Sequence, residues 1–126
     1  MTQNNLHFGH FSEIPEYREV NRELIAQLMD RLPNPFVHVD VATGAGLIPQ
    51  LLVEQATARG YHGQIVAVDR NVEALEIART ATPGTEDISV TFLEGDARDI
   101  PAAVAEHLPA QGADSVSIHD AIHEID

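Results

Sequence analysis

The sequence contains no cysteine and no lysine. Without cysteine there can be no disulfide, no thiolate nucleophile and no cysteine-ligated metal, which fits a cytoplasmic protein. Without lysine, seven arginines stand against 20 acidic residues, for a formal net charge of −13. Nonspecific nucleic-acid binding neutralises phosphates with basic side chains, so this balance argues against DNA or RNA as a partner. It argues equally against an anionic membrane surface. No apolar run approaches the roughly 20 residues of a membrane span, and the polar, acidic opening shows no signal-peptide pattern. Sequence repeats and low-complexity segments are absent as well.

What is present is one domain's worth of chain. A length of 126 residues with 44% hydrophobic side chains suffices for a single core. The organising stretch is VHVDVATGAG, Val37 to Gly46. Val37, Val39 and Val41 read as a buried strand. Thr43, Gly44, Ala45 and Gly46 form a turn of small residues, and Leu47, Ile48, Leu51 and Leu52 follow at helical spacing. A strand, a glycine turn and a helix in that order bring backbone N–H groups close to a ligand. The same order also suits a plain strand-to-helix turn.

Residues 1–14 have no periodicity and read as a loosely held arm, and the domain proper as 15–126. Val20, Leu24, Leu28 and Leu32, with Ile25, predict an amphipathic helix from about Glu16 to Arg31, stopped by Pro33 and Pro35. A second helix is expected over Leu47 to Arg59, where Pro49 is tolerable only in the first turn. Strands are expected at Gln64–Asp69, Ile88–Leu93 and Ser115–Ile118. Helices are expected at Val72–Thr80, marked by Val72, Leu75, Ile77 and Ala78, and at Pro101–His107. Strands alternating with helices predict an α/β fold, a Rossmann-like, doubly wound parallel sheet of about four strands.

The polar residues at the carboxyl ends of those strands are Asp40, Asp69, Asp96 and His119 or Asp120. In an open parallel sheet the ligand crevice lies outside those ends, so the four should converge on one site. Asp69 follows the glycine turn by one βα unit, where an acid can accept from both hydroxyls of a ribose. It could instead cap the next helix, a role Asn71 could also fill. Asp96, beside Ala97, could accept from an adenine amino group or simply serve a turn.

These segments resemble the class I S-adenosylmethionine-dependent methyltransferases. VDVATGAG (Val39 to Gly46) is similar to their first motif, IVAVDRN (Ile65 to Asn71) to the second, FLEGDARDIP (Phe92 to Pro101) to the third, and ADSVSIHDAIHEI (Ala113 to Ile125) to the fourth. The resemblance implies S-adenosylmethionine as cofactor and methyl transfer to a small molecule. It implies that Asp40 holds the methionine amino group, directly or through water. Ala42, Thr43, Gly44 and Gly46 would run beneath the methionine and ribose. Asp69 would take the ribose hydroxyls, with Arg70 beside the adenine. Asp96 and Ala97 would read the adenine edge, His119 would lie near the sulfonium, and Tyr17 would cover the cofactor.

Two departures stand out. Ala42 replaces the first glycine of the family pattern. The family domain also continues with three more strands that this sequence lacks, so it reads as the amino-terminal, cofactor-binding part of such a domain. The fourth strand would then be an exposed edge, for a second copy or another chain to cover. Three other readings compete. An NAD-binding fold would want a third glycine where Pro49 stands. A metal hydrolase could use His119 and His123 if they shared a helical face. A non-catalytic module could bind cofactor and a partner.

Overall fold

The computed structural model describes residues 15–41, 43, 46–95, 107–109, 112–118 and 121–124, with only the backbone of 15–17 and 121–124. Helix α1 spans Pro15–Met29, strand β1 Phe36–Val41, helix α2 Leu47–Arg59 and strand β2 Gly63–Asp69. Helix α3 spans Val72–Ala81, and strands β3, β4 and β5 span Ile88–Glu94, Ser115–Ile118 and Ala121–Glu124. The expected arm at 1–14, and all but the last residue of the helix expected over 101–107, lie outside the described residues.

The strands form one sheet in the order β3-β2-β1-β4-β5. β1, β2, β3 and β4 are parallel, as the alternation of strands and helices predicts. The fifth strand was not expected: β5 pairs antiparallel with β4, from Ser115 opposite Glu124 to Ile118 opposite Ala121. β4 is therefore paired on both sides, and β5 takes the outer position. Placing Ala121–Glu124 in a strand also removes the helical face that His119 and His123 would have needed to share.

β1 and β2 are buried along almost their whole length because both faces of the sheet are covered. Phe36, Ile65 and Ile88 line one face and pack with Ile25, Leu28 and Met29 of α1 and with Leu51 and Leu52 of α2. Val39, Val41, Val66 and Val68 line the other, packed by Leu93, Leu108, Ala113 and Val116. The segment entering β4 thus reaches the face opposite α1 and α2, which is what double winding requires. The winding changes direction between β1 and β4, the switch point where open α/β sheets place ligands.

Two helix faces differ from expectation. On α1, Val20 and Leu24 are exposed, while Asn21, Ile25, Leu28, Met29 and Leu32 are buried. Strict four-residue spacing drifts about 40° per step on a helix of 3.6 residues per turn, so residue 20 has left the face that holds residue 32. On α3, Val72 and Ile77 are exposed, and the buried face is the smaller one of Ala74, Leu75 and Ala78.

Candidate cofactor-binding site

β1 alternates strictly. Phe36, His38 and Asp40 project to the helix-covered face, and the three valines to the other. Beyond β1 the chain is held down by its own backbone. The Thr43 N–H donates to the Val68 carbonyl at 3.0 Å, and the Gly46 N–H donates to the Thr43 carbonyl at 3.0 Å. Gly46 then opens α2 in the left-handed region, at φ 91°, without a side-chain cap. Glycine is required there twice over. Its φ is one that other residues rarely adopt, and a Cβ would stand 2.8 Å from the Ala78 Cβ.

Asp40 is buried at the carboxyl end of β1 and accepts two hydroxyl hydrogen bonds. Thr43 Oγ1 donates to Oδ2 and Ser117 Oγ donates to Oδ1, each at 2.5 Å. Ser117 lies directly opposite Asp40 in the β1–β4 register, and Ser115 opposite His38. The His38 ring sits between the two serines, with Nδ1 2.5 Å from Ser115 Oγ and Nε2 2.8 Å from Ser117 Oγ. His38 is fully buried, and loss of hydration pushes its pKa from 6.5 down to about 3, so the ring is neutral.

Asp69 ends β2 and is also buried. It stands two residues beyond Ala67, the partner of Asp40, so both carboxylates belong to the same sheet face. Its Oδ1 accepts from the Asn71 N–H at 2.8 Å, and its carbonyl accepts from the Gly95 N–H at 3.0 Å. Asn71 caps α3 through the Ala74 N–H, so the helix does not need Asp69 as its cap.

Of the residues expected at the site, Asp40, Thr43, Gly46 and Asp69 are gathered at the carboxyl ends of β1 and β2. Arg70 follows on the surface. Ala42, Gly44, Asp96, Ala97 and His119 lie outside the described residues, as does the Tyr17 side chain. His38, Ser115 and Ser117 were not anticipated. Their signal was available as polar residues at every second position, HVD in β1 and SVS in β4. Among the described residues, no group of three or more His, Asp or Glu could hold a metal.

Residues 39–126 match the model of the methyltransferase domain family. The chain belongs to that family. The match runs from inside β1 through β5, so it covers both buried carboxylates and the serines of β4. Among curated proteins no sequence matches. Among solved structures, the chain is similar to a protein of Methanococcus maripaludis assigned as an S-adenosyl-L-methionine-dependent methyltransferase. The identity is 18% over 95% of this chain and 54% of that one, with a TM-score of 0.59. It is also similar to coclaurine N-methyltransferase bound to N-methylheliamine and SAH, at 12% identity over 94% of this chain and 30% of that one, with a TM-score of 0.55. These likenesses concern the fold, and the chain spans only about a third to a half of the length of such structures. Among the described residues, no helix is long and apolar enough to cross a membrane.

Proposed function

We propose that the protein binds S-adenosylmethionine at the carboxyl ends of β1, β2 and β4 and transfers its methyl group to a small molecule. The observation that carries this reading is the pair Asp40 and Asp69, two buried carboxylates on one sheet face beside the switch point. When bound, the cofactor supplies an electrophilic methyl group on a positively charged sulfur. Buried carboxylates suit a cationic ligand, whereas a dinucleotide would bring a pyrophosphate to the same place. Pro49, buried in the first turn of α2, also stands where a dinucleotide fold needs glycine for close packing.

Each residue's part follows from its position. Asp69 accepts from the ribose hydroxyls while its bond to Asn71 fixes its orientation. Asp40, buried and held by the Thr43 and Ser117 hydroxyls, acts on the methionine amino group through a bridging water. The Thr43–Val68 bond holds Thr43 against the end of β2. Methyl transfer is an in-line displacement, so holding the acceptor at about 3–3.5 Å supplies most of the rate without a protein acid or base. The net charge of −13 favours a small molecule over nucleic acid as acceptor. A second copy or another chain extending the sheet beyond β5 belongs to the same reading, with gel filtration as its check.

Calorimetric titration with S-adenosylhomocysteine and with NADH tests the cofactor. Only the first should bind. Asp69→Ala should weaken it by about tenfold or more, the worth of a lost hydrogen bond to a charged group. NADH binding alone, or an unchanged affinity in the variant, would sink the assignment.

A further inference from the structure

With Asp40 ionised, hydrogen-bond arithmetic fixes the direction of the protons along Ser115, His38, Ser117 and Asp40. A carboxylate only accepts, so the single Ser117 hydroxyl proton points to Asp40 Oδ1. Ser117 Oγ must then accept from His38, which places a proton on Nε2. The buried ring is neutral and carries one proton only, so Nδ1 is bare and accepts from the Ser115 hydroxyl. The bonds run in one sense, from Ser115 through His38 and Ser117 to Asp40. The other tautomer would draw the Ser117 proton onto Nε2. Two oxygen lone-pair regions would then face each other across the 2.5 Å between Ser117 and Asp40.

The geometry points to His38 as a positioning residue for the cofactor site: its Nε2–H tautomer holds the Ser117 hydroxyl on Asp40, and so sets the orientation of that carboxylate toward the methionine amino group. This rests on the reading of Asp40 given above. Hydrogen bonds in such a chain polarise one another, so the final bond to Asp40 is stronger with His38 in place than without it. An apolar side chain at position 38 would fill the same space between Ile65 and the serines, but it would leave the Ser117 hydroxyl free to turn to another acceptor.

Two measurements test this. Long-range proton–nitrogen NMR on the protein reads the tautomer directly and needs no cofactor. His38 should show a protonated Nε2 and a bare Nδ1, unchanged between pH 5 and 8. A protonated Nδ1 would overturn the proposal. The second is S-adenosylhomocysteine affinity in a series at position 38. His38→Leu removes both contacts. His38→Gln places an amide N–H near the Nε2 position and should restore the link to Ser117. His38→Asn reaches only toward Ser115. Leu and Asn should weaken binding by about three- to tenfold, and Gln should recover most of the loss. If His38→Leu fails to fold, Ser117→Ala carries the same comparison, since it removes the donor to Asp40 and leaves the ring. Unchanged affinity in these variants, while Asp40→Asn and Asp69→Ala weaken binding, would overturn the role of His38 and leave the cofactor site standing. Unchanged affinity in the Asp40 and Asp69 variants would remove the site itself.

Discussion

Gly46 and Ala78 pack so closely that nothing larger than hydrogen fits between them: a Cβ at position 46 would stand 2.8 Å from the Ala78 Cβ. The first turn of α2 thereby rests on α3. Gly46→Ala should lose about 1–2 kcal/mol from its left-handed backbone and about 1–3 kcal/mol from overpacking. Adding Ala78→Gly should relieve the overlap but cost about 1 kcal/mol of helix propensity, leaving the backbone strain untouched. Denaturant melts of the single and double variants should therefore both fall below the parent, with the double the milder.

The buried His38 makes stability depend on pH. The unfolded chain takes up a proton near the ordinary histidine value of 6.5, whereas the folded chain holds off until about 3. Between those values unfolding binds a proton, so stability rises with pH and falls as the solution is acidified. The contribution is complete above 6.5 and is lost at about 1.4 kcal/mol per pH unit below it, or about 2 kcal/mol by pH 5. Carboxylates add their own dependence, so the measurement is a difference. Between pH 7 and 5, the parent should lose about 2 kcal/mol more than His38→Leu.

Much of this was legible in the sequence, for physical reasons that differ by residue. β1 and α2 announced themselves because β-branched alternation and a paired apolar face leave few other structures. That Asp40 and Asp69 would lie together was legible because strand ends in a parallel sheet share one rim. β5 was not, since AIHE has neither the length nor the alternation that marks a strand, and its pairing comes from β4 lying alongside. The His38 network was not, because it depends on the register that sets Ser117 opposite Asp40 across 77 residues of sequence. On α1 the expected face holds at Ile25, Leu28 and Leu32 but not one turn and more earlier, where Asn21 rather than Val20 is buried and Leu24 is exposed.

The contact between α1 and α2 separates packing from charge. Arg59 joins the helices through a 2.8 Å ion pair with Asp30 and a bond to the Ala26 carbonyl, but Asp30 is largely exposed. Exposed pairs are worth about 1 kcal/mol at most. Ile25, fully buried against the same neighbour, fills volume that nothing else can. Asp30→Ala should therefore cost no more than about 1 kcal/mol, with much of that recovered in high salt. Ile25→Ala should cost about 2–5 kcal/mol at any ionic strength. Equal effects would mean that the helices are held mainly by their charges.

Asp69 and Asn71 divide two tasks that a single acid could have combined. Asn71 Oδ1 takes the Ala74 N–H at 3.1 Å and caps α3, while Asp69 Oδ1 takes the Asn71 N–H at 2.8 Å. Asn71→Ala removes the cap and should cost about 1 kcal/mol of stability, with little effect on S-adenosylhomocysteine affinity. Asp69→Asn keeps an oxygen for the Asn71 N–H but loses the charge and one acceptor. It should lower stability by less than about 1 kcal/mol yet weaken the ligand by about tenfold, because a carboxylate accepts from two ribose hydroxyls better than an amide does. Thermal melts and calorimetry on the same two variants therefore move in opposite order. A helix that depended on Asp69 for its cap would reverse that order, with Asp69→Asn the less stable variant and Asn71→Ala close to the parent.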